Sequence, residues 1–209
     1  MKARMILAVA AFAGCGMAMA QESRFSAGLE LGMPMGDFGD AYGIGFGATL
    51  GYEIPVGDNL GFMAQAGYIT FSGKDLETSV TVGGTTVTSS VKVDNAGMIP
   101  VQVGLKYYFS DNQEGLYAGL LTGLHMQSVK EVEVTTSGID EKNTLKSNFG
   151  VAPLIGFMVT ENIDLALRYQ MIFSKQETAV VTGTTVTTEE ETVTNSYIGL
   201  RAAYMFGSR

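Results

Sequence analysis

The stretch NSYIGLRAAYMF, residues 195–206, alternates between two kinds of side chain. Every second residue from position 198 is apolar: Ile198, Leu200, Ala202, Tyr204 and Phe206. The residues between them are Gly199, Arg201, Ala203 and Met205. Because successive side chains of a strand point to opposite faces, this segment predicts a strand with one apolar and one mixed face. Which face points into the protein decides the class of fold.

The same alternation recurs through the rest of the chain. Glycines and polar residues separate apolar residues in eight segments: 25–33, 44–54, 60–68, 98–109, 116–127, 149–159, 163–173 and 195–206. Three connections are short and polar: 55–59, 111–115 and the residues around 161–162. Four are longer: 34–43, 72–97, 130–148 and 175–196. Short turns at one end and long loops at the other predict an all-β fold, an eight-stranded antiparallel up-and-down transmembrane β-barrel.

Residue size decides which face is inside. The glycines and the long polar residues share one side of each segment, and the large aliphatic residues share the other. Eight strands enclose an interior just wide enough to be filled by side chains, which suits small residues and a few polar ones. An apolar band with aromatics near its ends suits lipid and its interfaces. These aromatics are Tyr52, Tyr107, Phe109, Tyr204 and Phe206. We therefore expect Leu200 to face lipid and Arg201 to face the interior.

Composition excludes two classes of protein. The 209 residues carry a net charge of -8, and an acidic chain is a poor match for nucleic acid. No segment after residue 20 approaches the ~20 apolar residues that a transmembrane helix needs.

Residues 1–20 have the pattern of a secretory signal peptide. Two basic residues precede a short apolar stretch, and AMA at 18–20 has small residues at the cleavage positions. We expect 1–20 to be the signal peptide and 21–209 to be the outer-membrane β-barrel domain. The alternative is that FAGC at 12–15 is a lipoprotein box and Cys15 carries a lipid. After cleavage at residue 20 no cysteine remains, which excludes disulfides and thiolate sites.

The sequence GLRAAYMF (199–206) resembles the terminal-strand signature of bacterial outer-membrane barrels, with Gly199, Tyr204 and Phe206 in matching positions. The segments 31–55 and 98–109 are similar to the small, porin-like outer membrane protein β-barrel domain family, which shares its architecture with OmpX and the OmpA transmembrane domain. The resemblance spans nearly all of 21–206. It implies location in the bacterial outer membrane, with outer-membrane lipid and the barrel assembly machinery as partners.

Charged and amide residues on the inward face form a candidate site in the lumen. We predict a structural polar network of Glu30, Arg168, Arg201, Glu53, Lys106 and Gln65. Glu30, Arg168 and Arg201 lie at similar heights on their strands, so we expect them to form one cluster. Because a buried charge must be paired, the network is interpreted as an ionic plug. The alternative is a gate whose charges exchange partners and admit ions.

No catalytic, cofactor or metal site is predicted. His125 is the only histidine, and it shares the inward face with Gly123 and Gln127. Without a serine beside it, it is interpreted as a packing residue rather than a catalytic base. One histidine without cysteine does not make a transition-metal site. The segments GDFGD (36–40) and EEE (189–191) lack the spaced ligands of a calcium loop and are interpreted as solvated loops.

Two prolines, Pro100 and Pro153, fall inside predicted strands. Proline cannot donate a ladder hydrogen bond, and a closed barrel has no edge on which to place it. We therefore expect a β-bulge near each proline.

The hypothesis for function is a monomeric, non-enzymatic barrel with a plugged lumen. The Thr/Val-rich segments 79–93 and 179–187 flank glycine-containing turns and predict hairpins that extend the wall above the membrane. Residues 75–95 and 176–194 are the regions expected to meet an extracellular ligand or surface partner, or to support the envelope. Two alternatives stay open: a narrow gated pore for small solutes and a lipid-modifying enzyme.

Overall fold

The computed structural model describes residues 23–82, 85–110, 113–135, 138–182 and 185–207. The predicted signal peptide and the alternative lipid site at Cys15 lie outside these residues. Within the described ranges the elements in chain order are β1 (Arg24–Met35), α1 (Asp37–Ala41), β2 (Tyr42–Pro55), β3 (Leu60–Gly73), β4 (Asp75–Val82), β5 (Thr85–Lys92), β6 (Ala96–Tyr108), β7 (Gly115–Thr135), β8 (Gly138–Thr160), β9 (Ile163–Thr182) and β10 (Thr185–Phe206).

Eight of these strands form a closed antiparallel barrel in the order β1-β10-β9-β8-β7-β6-β3-β2. Closure comes from β10, which pairs with β9 on one side and with β1 on the other. The ladder between the first and last strands runs from Phe25–Phe206 to Met35–Ser196. The eight-stranded up-and-down barrel predicted from the alternation is therefore confirmed.

The two faces of the wall point as the sequence predicts. On the outer face Leu29 and Leu50 are 72% and 70% exposed, whereas Gln102 and Lys106 on the inner face are each 1% exposed. In β10, Leu200 is 50% exposed and its neighbour Arg201 only 4%. This is the reverse of a water-soluble protein, in which the large apolar residues are the buried ones.

Aromatic side chains cluster on the outer face at the end of the barrel that carries the short connections. Phe25 packs on Tyr52 with ring centroids 4.7 Å apart, and Tyr204 packs on Phe206 at 4.8 Å. Since β1 and β10 are neighbours, these pairs lie side by side at the bottom of the wall. Their position near the strand ends agrees with an interfacial role.

Two pairs of strands continue well past the ends predicted for them. The β7–β8 ladder reaches Thr135–Gly138, and the β9–β10 ladder reaches Thr182–Thr185. The prediction that 130–148 is a loop is therefore wrong, whereas the hairpin predicted at 179–187 is confirmed. The hairpin at 79–93 also forms, but β4 and β5 make a separate two-stranded sheet instead of extending the wall.

The connection at 34–43 contains the short helix α1, which the sequence did not predict. The interpretation of GDFGD as a solvated loop is wrong for Phe38, whose side chain is buried. The helix begins after Gly36, whose φ of 58° is a backbone conformation that glycine adopts without strain. No helix among the described residues is long and apolar enough to cross a membrane.

The bulges expected at the prolines are absent. The β3–β6 ladder lacks two pairs beside Pro100 but resumes in the same register, and the β8–β9 ladder does the same beside Pro153. The wall therefore tolerates each proline by omitting local pairs rather than by inserting a residue. The shifts in register lie elsewhere, between Tyr42 and Gly45 and between Met158 and Thr160.

Candidate functional site

The candidate site is the buried interior of the barrel, which contains two layers of polar side chains with small apolar clusters beside them, and an upper apolar layer. Inward positions along the strands supply all three, because the alternation places every second residue inside. The end with the short connections is called the lower end, and the end with the long hairpins the upper end.

The lower layer is a chain of ion pairs formed by Arg24, Glu53, Lys106, Asp164 and Arg201. Glu53 accepts from Arg24 Nη2 at 3.2 Å and from Lys106 Nζ at 2.9 Å. Asp164 Oδ2 lies 3.5 Å from Lys106 Nζ and 3.0 Å from Arg201 Nη1. Each of these five side chains is at most 4% exposed. Lys106 therefore links the two carboxylates at the centre of this lower ionic cluster.

Two tyrosines complete the lower ionic cluster. The Tyr108 hydroxyl donates to Glu53, and the Tyr117 hydroxyl donates to Asp164 Oδ1 at 2.5 Å. Lys106 Nζ also lies 4.5 Å from the centroid of the Tyr117 ring, within the range of a cation–π contact. Buried charges are stabilised only where their remaining hydrogen-bonding positions are filled, and the tyrosines fill positions on both carboxylates.

The central layer joins one ion pair to a row of amides. Arg168 Nη2 pairs with Glu30 and donates to the Tyr197 hydroxyl at 3.0 Å. Gln65 Nε2 donates to Gln102 Oε1 at 2.9 Å, and Gln102 Nε2 donates to Gln170 Oε1 at 2.9 Å. Arg168 Nη1 also donates to Gln102 Oε1, at 3.2 Å. The row spans the interior from β3 through β6 to β9.

The structure divides the cluster predicted for Glu30, Arg168 and Arg201. Glu30 and Arg201 are directly opposite in the β1–β10 ladder, yet their side chains bind different partners. Arg201 reaches into the lower layer, where it binds Asp164, Thr49 and Ser26. Glu30 instead pairs with Arg168, two strands away. Of the other predicted residues, Glu53 and Lys106 pair with each other and Gln65 lies in the amide row.

Several residues of the interior were missed by the sequence prediction. Arg24 lies one residue before the predicted first strand, because the apolar alternation starts at Phe25. Tyr108, Tyr117 and Tyr197 share inward parity with the polar residues, but the predicted network does not include them. Tyrosine also suits the outer interfaces, so residue type alone does not separate the two positions.

The upper layer is apolar and lies beneath the long hairpins. It comprises Phe38, Ile69, Phe71, Met98, Ile172 and Tyr197. The Phe38 ring from α1 lies 5.1 Å from the Phe71 ring, edge-on, and Phe71 lies 5.3 Å from Tyr197. Lys74 Nζ and the Lys74 backbone amide donate to carbonyls of Gly39 and Ala41 and hold α1 over the mouth.

His125 is fully buried in the wall of the interior. A Cβ at position 150 would lie 2.6 Å from His125 Cε1, so the glycine at this position leaves the space that the imidazole occupies. Within the described part of the chain no three His, Cys, Asp or Glu side chains lie close enough to hold a metal ion together.

A closed barrel with an apolar outer wall and buried charges inside defines an integral membrane β-barrel, since an open sheet edge is not stable in lipid. Residues 6–206 match the model of the outer membrane protein beta-barrel domain, and the chain belongs to this family. It is a protein of the bacterial outer membrane, and lipid surrounds its wall.

Solved structures of other outer-membrane proteins are similar to this chain. Ail, the attachment invasion locus protein of Yersinia pestis, solved with the heparin analogue sucrose octasulfate, is 16% identical with a TM-score of 0.51, covering 88% of this chain and 98% of Ail. Neisserial surface protein A is 14% identical with a TM-score of 0.48, covering 88% and 97%. OprG of Pseudomonas aeruginosa is 10% identical with a TM-score of 0.46, covering 90% and 97%. No curated protein sequence matches this chain.

Proposed function

We propose that this protein is a non-conducting, non-enzymatic barrel that presents strand edges above the membrane to a partner at the cell surface, or to neighbouring envelope components. Barrel assembly machinery inserts it as a monomer after removal of residues 1–20. The exposed strand edges carry the proposal, and the filled interior supports it.

The upper parts of β7–β8 (128–135 and 138–148) and β9–β10 (174–182 and 185–195), here called the ribbons, extend beyond the barrel wall. Within the described residues the neighbouring ladders end below them, at Met98–Gln127, Phe149–Phe173 and Met35–Ser196. Each ribbon is therefore two-stranded, and at 3.4 Å per residue β7 extends about 27 Å past its last pair with β6. A strand edge without a ladder partner is a template for another strand.

The charge of the β9–β10 ribbon favours a cationic partner over a polyanion. The β9–β10 ribbon carries four glutamates and one lysine over 174–195. An acidic ribbon repels polyanions and attracts a cationic partner. Ail was solved with a heparin analogue, but a sulfated polysaccharide does not suit the charge of this chain. We therefore propose a protein partner that adds a strand and carries basic residues.

The interior supports a closed barrel rather than a pore. An internal cavity of about 10 Å³ lies between the lower and central layers, about the space of one water molecule. Above it the apolar layer fills the lumen and Phe38 covers the mouth. Absence of steady conductance in planar bilayers is expected, and a steady, large conductance would favour the gated pore.

The enzyme alternative has less support than the closed barrel. A lipid-modifying enzyme needs a nucleophile and a base within hydrogen-bond reach of each other, at a position that a lipid can reach. His125, the only histidine in the chain, is fully buried.

Epitope tags test the proposed orientation. Tags inserted at Thr85 and Thr185, in the long hairpins, are expected to bind antibody on intact cells. Tags at Gly57 and Gln113, in the short connections, are expected to bind only after the outer membrane is permeabilised. The reverse labelling would contradict the orientation and place the ribbons in the periplasm.

Shortening the hairpins tests the proposed role. Replacing 80–90, 130–146 and 181–190 with short turns is expected to leave a folded, inserted barrel, because the ladders of the wall lie below all three segments. Adhesion of expressing cells to a protein-coated surface or to neighbouring cells should be lost. As a matched control, a short loop insertion at Gly57 should leave adhesion unchanged. Undiminished adhesion after shortening would assign binding to another surface.

A further inference from the structure

We propose that the barrel interior holds one monovalent anion, chloride under ordinary conditions, in the cavity between the lower ionic cluster and the central layer. The cavity measures about 10 Å³, and its polar lining is Gln65, Lys106, Tyr117, Arg168 and Arg201. Three of these five residues are cations. No acidic residue from the described part of the chain lines the cavity.

The buried charges of the described interior do not balance. The buried cations are Arg24, Lys106, Arg168 and Arg201, and the buried carboxylates are Glu30, Glu53 and Asp164. One positive charge is in excess, and any charge on His125 would add to it. The excess lies in the lower ionic cluster, where two carboxylates serve three cations. An uncompensated charge in a low-dielectric interior is costly, so a counter-ion there is stabilising.

One of the lining residues also has a donor without a partner. Arg168 is 4% exposed, and no protein group accepts from its Nε–H. Gln65 Oε1 likewise receives no hydrogen bond from a protein group, and a water molecule would satisfy this acceptor better than an anion would. Water is therefore the competing occupant. The charge excess favours the anion, because water leaves the interior with its net positive charge.

Size restricts the kind of anion. A space of about 10 Å³ for the centre of a water-sized sphere admits one small particle. Chloride and bromide are single atoms somewhat larger than a water molecule, whereas sulfate and phosphate need several times that space. The remaining lining includes Met63, Leu121 and Leu154, which donate no hydrogen bonds, so the three cations must replace the hydration shell of the ion.

Anomalous scattering tests the site on the unaltered protein. Crystals grown in sodium bromide are expected to show an anomalous peak inside the cavity, within contact distance of Lys106, Arg168 or Arg201. Peaks confined to the outer surface would show an adventitious ion only and would overturn the proposal.

Stability in matched salts gives an independent test. The urea midpoint of the vesicle-inserted barrel should be higher in sodium chloride than in sodium gluconate at equal ionic strength. At tenfold excess of chloride over its Kd, the folding equilibrium constant should rise about tenfold. Ala166→Val, which adds methyl groups at a residue lining the cavity, should remove the difference between salts.

The matched control is Ala118→Val. Ala118 lies on the outer face of β7, because the side chain of its neighbour Tyr117 points inward and is buried. The variant should keep the difference between salts. Equal midpoints of the unaltered protein in both salts would show that water occupies the cavity. If Ala166→Val does not fold, the bromide experiment still decides.

Discussion

Replacing Asp164 with leucine is expected to destabilise the barrel by about 3–5 kcal/mol, the usual cost of removing one partner from a buried ion pair. Asp164 is fully buried and accepts from Arg201 at 3.0 Å and from Tyr117 at 2.5 Å, with Lys106 3.5 Å away. Without it the described interior keeps four cations and only two carboxylates. Urea titration in lipid vesicles, followed by circular dichroism because the chain has no tryptophan, measures the loss.

A double variant separates charge from packing. In Asp164→Leu with Arg201→Leu, Lys106 keeps its contact with Glu53 at 2.9 Å and the excess returns to one positive charge. We expect the double variant to be more stable than Asp164→Leu alone. If the two substitutions instead add, so that the double variant is the less stable, the ion pair does not explain the loss.

Arginine in place of Leu200 is expected to cost roughly 2–4 kcal/mol, the cost of a charge on the lipid face near the bilayer midplane. Leu200 is half exposed on the outer wall, opposite Leu31 of β1. The adjacent change, Arg201→Leu, should cost less. Asp164 would still have Lys106 and Tyr117, and Glu30 would still have Arg168. Equilibrium urea titrations of both variants in the same vesicles give the order.

Leu200→Ala is the control for lost apolar contact at position 200. It removes the side chain without adding charge, so it should fall well short of the cost of Leu200→Arg. A greater loss in Arg201→Leu than in Leu200→Arg would mean that the wall does not face lipid as the exposures indicate.

The parts of the fold that the sequence predicts depend on the local alternation of apolar and polar residues. Alternation at period two assigned Leu200 to the outside and Arg201 to the inside, and it identified the eight strands of the barrel. These features follow from residue type and chain geometry alone, because neighbouring side chains of a strand point in opposite directions. The burial of Glu30, Glu53, Lys106 and Arg168 follows from the same rule.

The lengths of the strands, and the way the ladders accommodate the two prolines, do not follow from that pattern. Large apolar residues become sparse after residue 130, so the sequence predicts a loop where β7 and β8 continue as a ribbon. Backbone hydrogen bonds pair strands whatever their side chains, and they extend the ladder past the apolar band. The register also stays constant beside Pro100 and Pro153, because the ladder loses local pairs rather than shifting.

The amino-acid sequence was enough to predict an eight-stranded outer-membrane barrel, the face that meets lipid and the inward position of the charges. Which of these charges pair with each other depends on the folded barrel. Glu30 faces Arg201 across the ladder but pairs with Arg168, while Arg201 turns down to Asp164. The folded barrel also places Phe38 over the mouth, from a connection that carries no strand pattern. The physical reason is that side-chain direction is a property of one strand, whereas partner choice depends on strand stagger and on the reach of long side chains across the lumen.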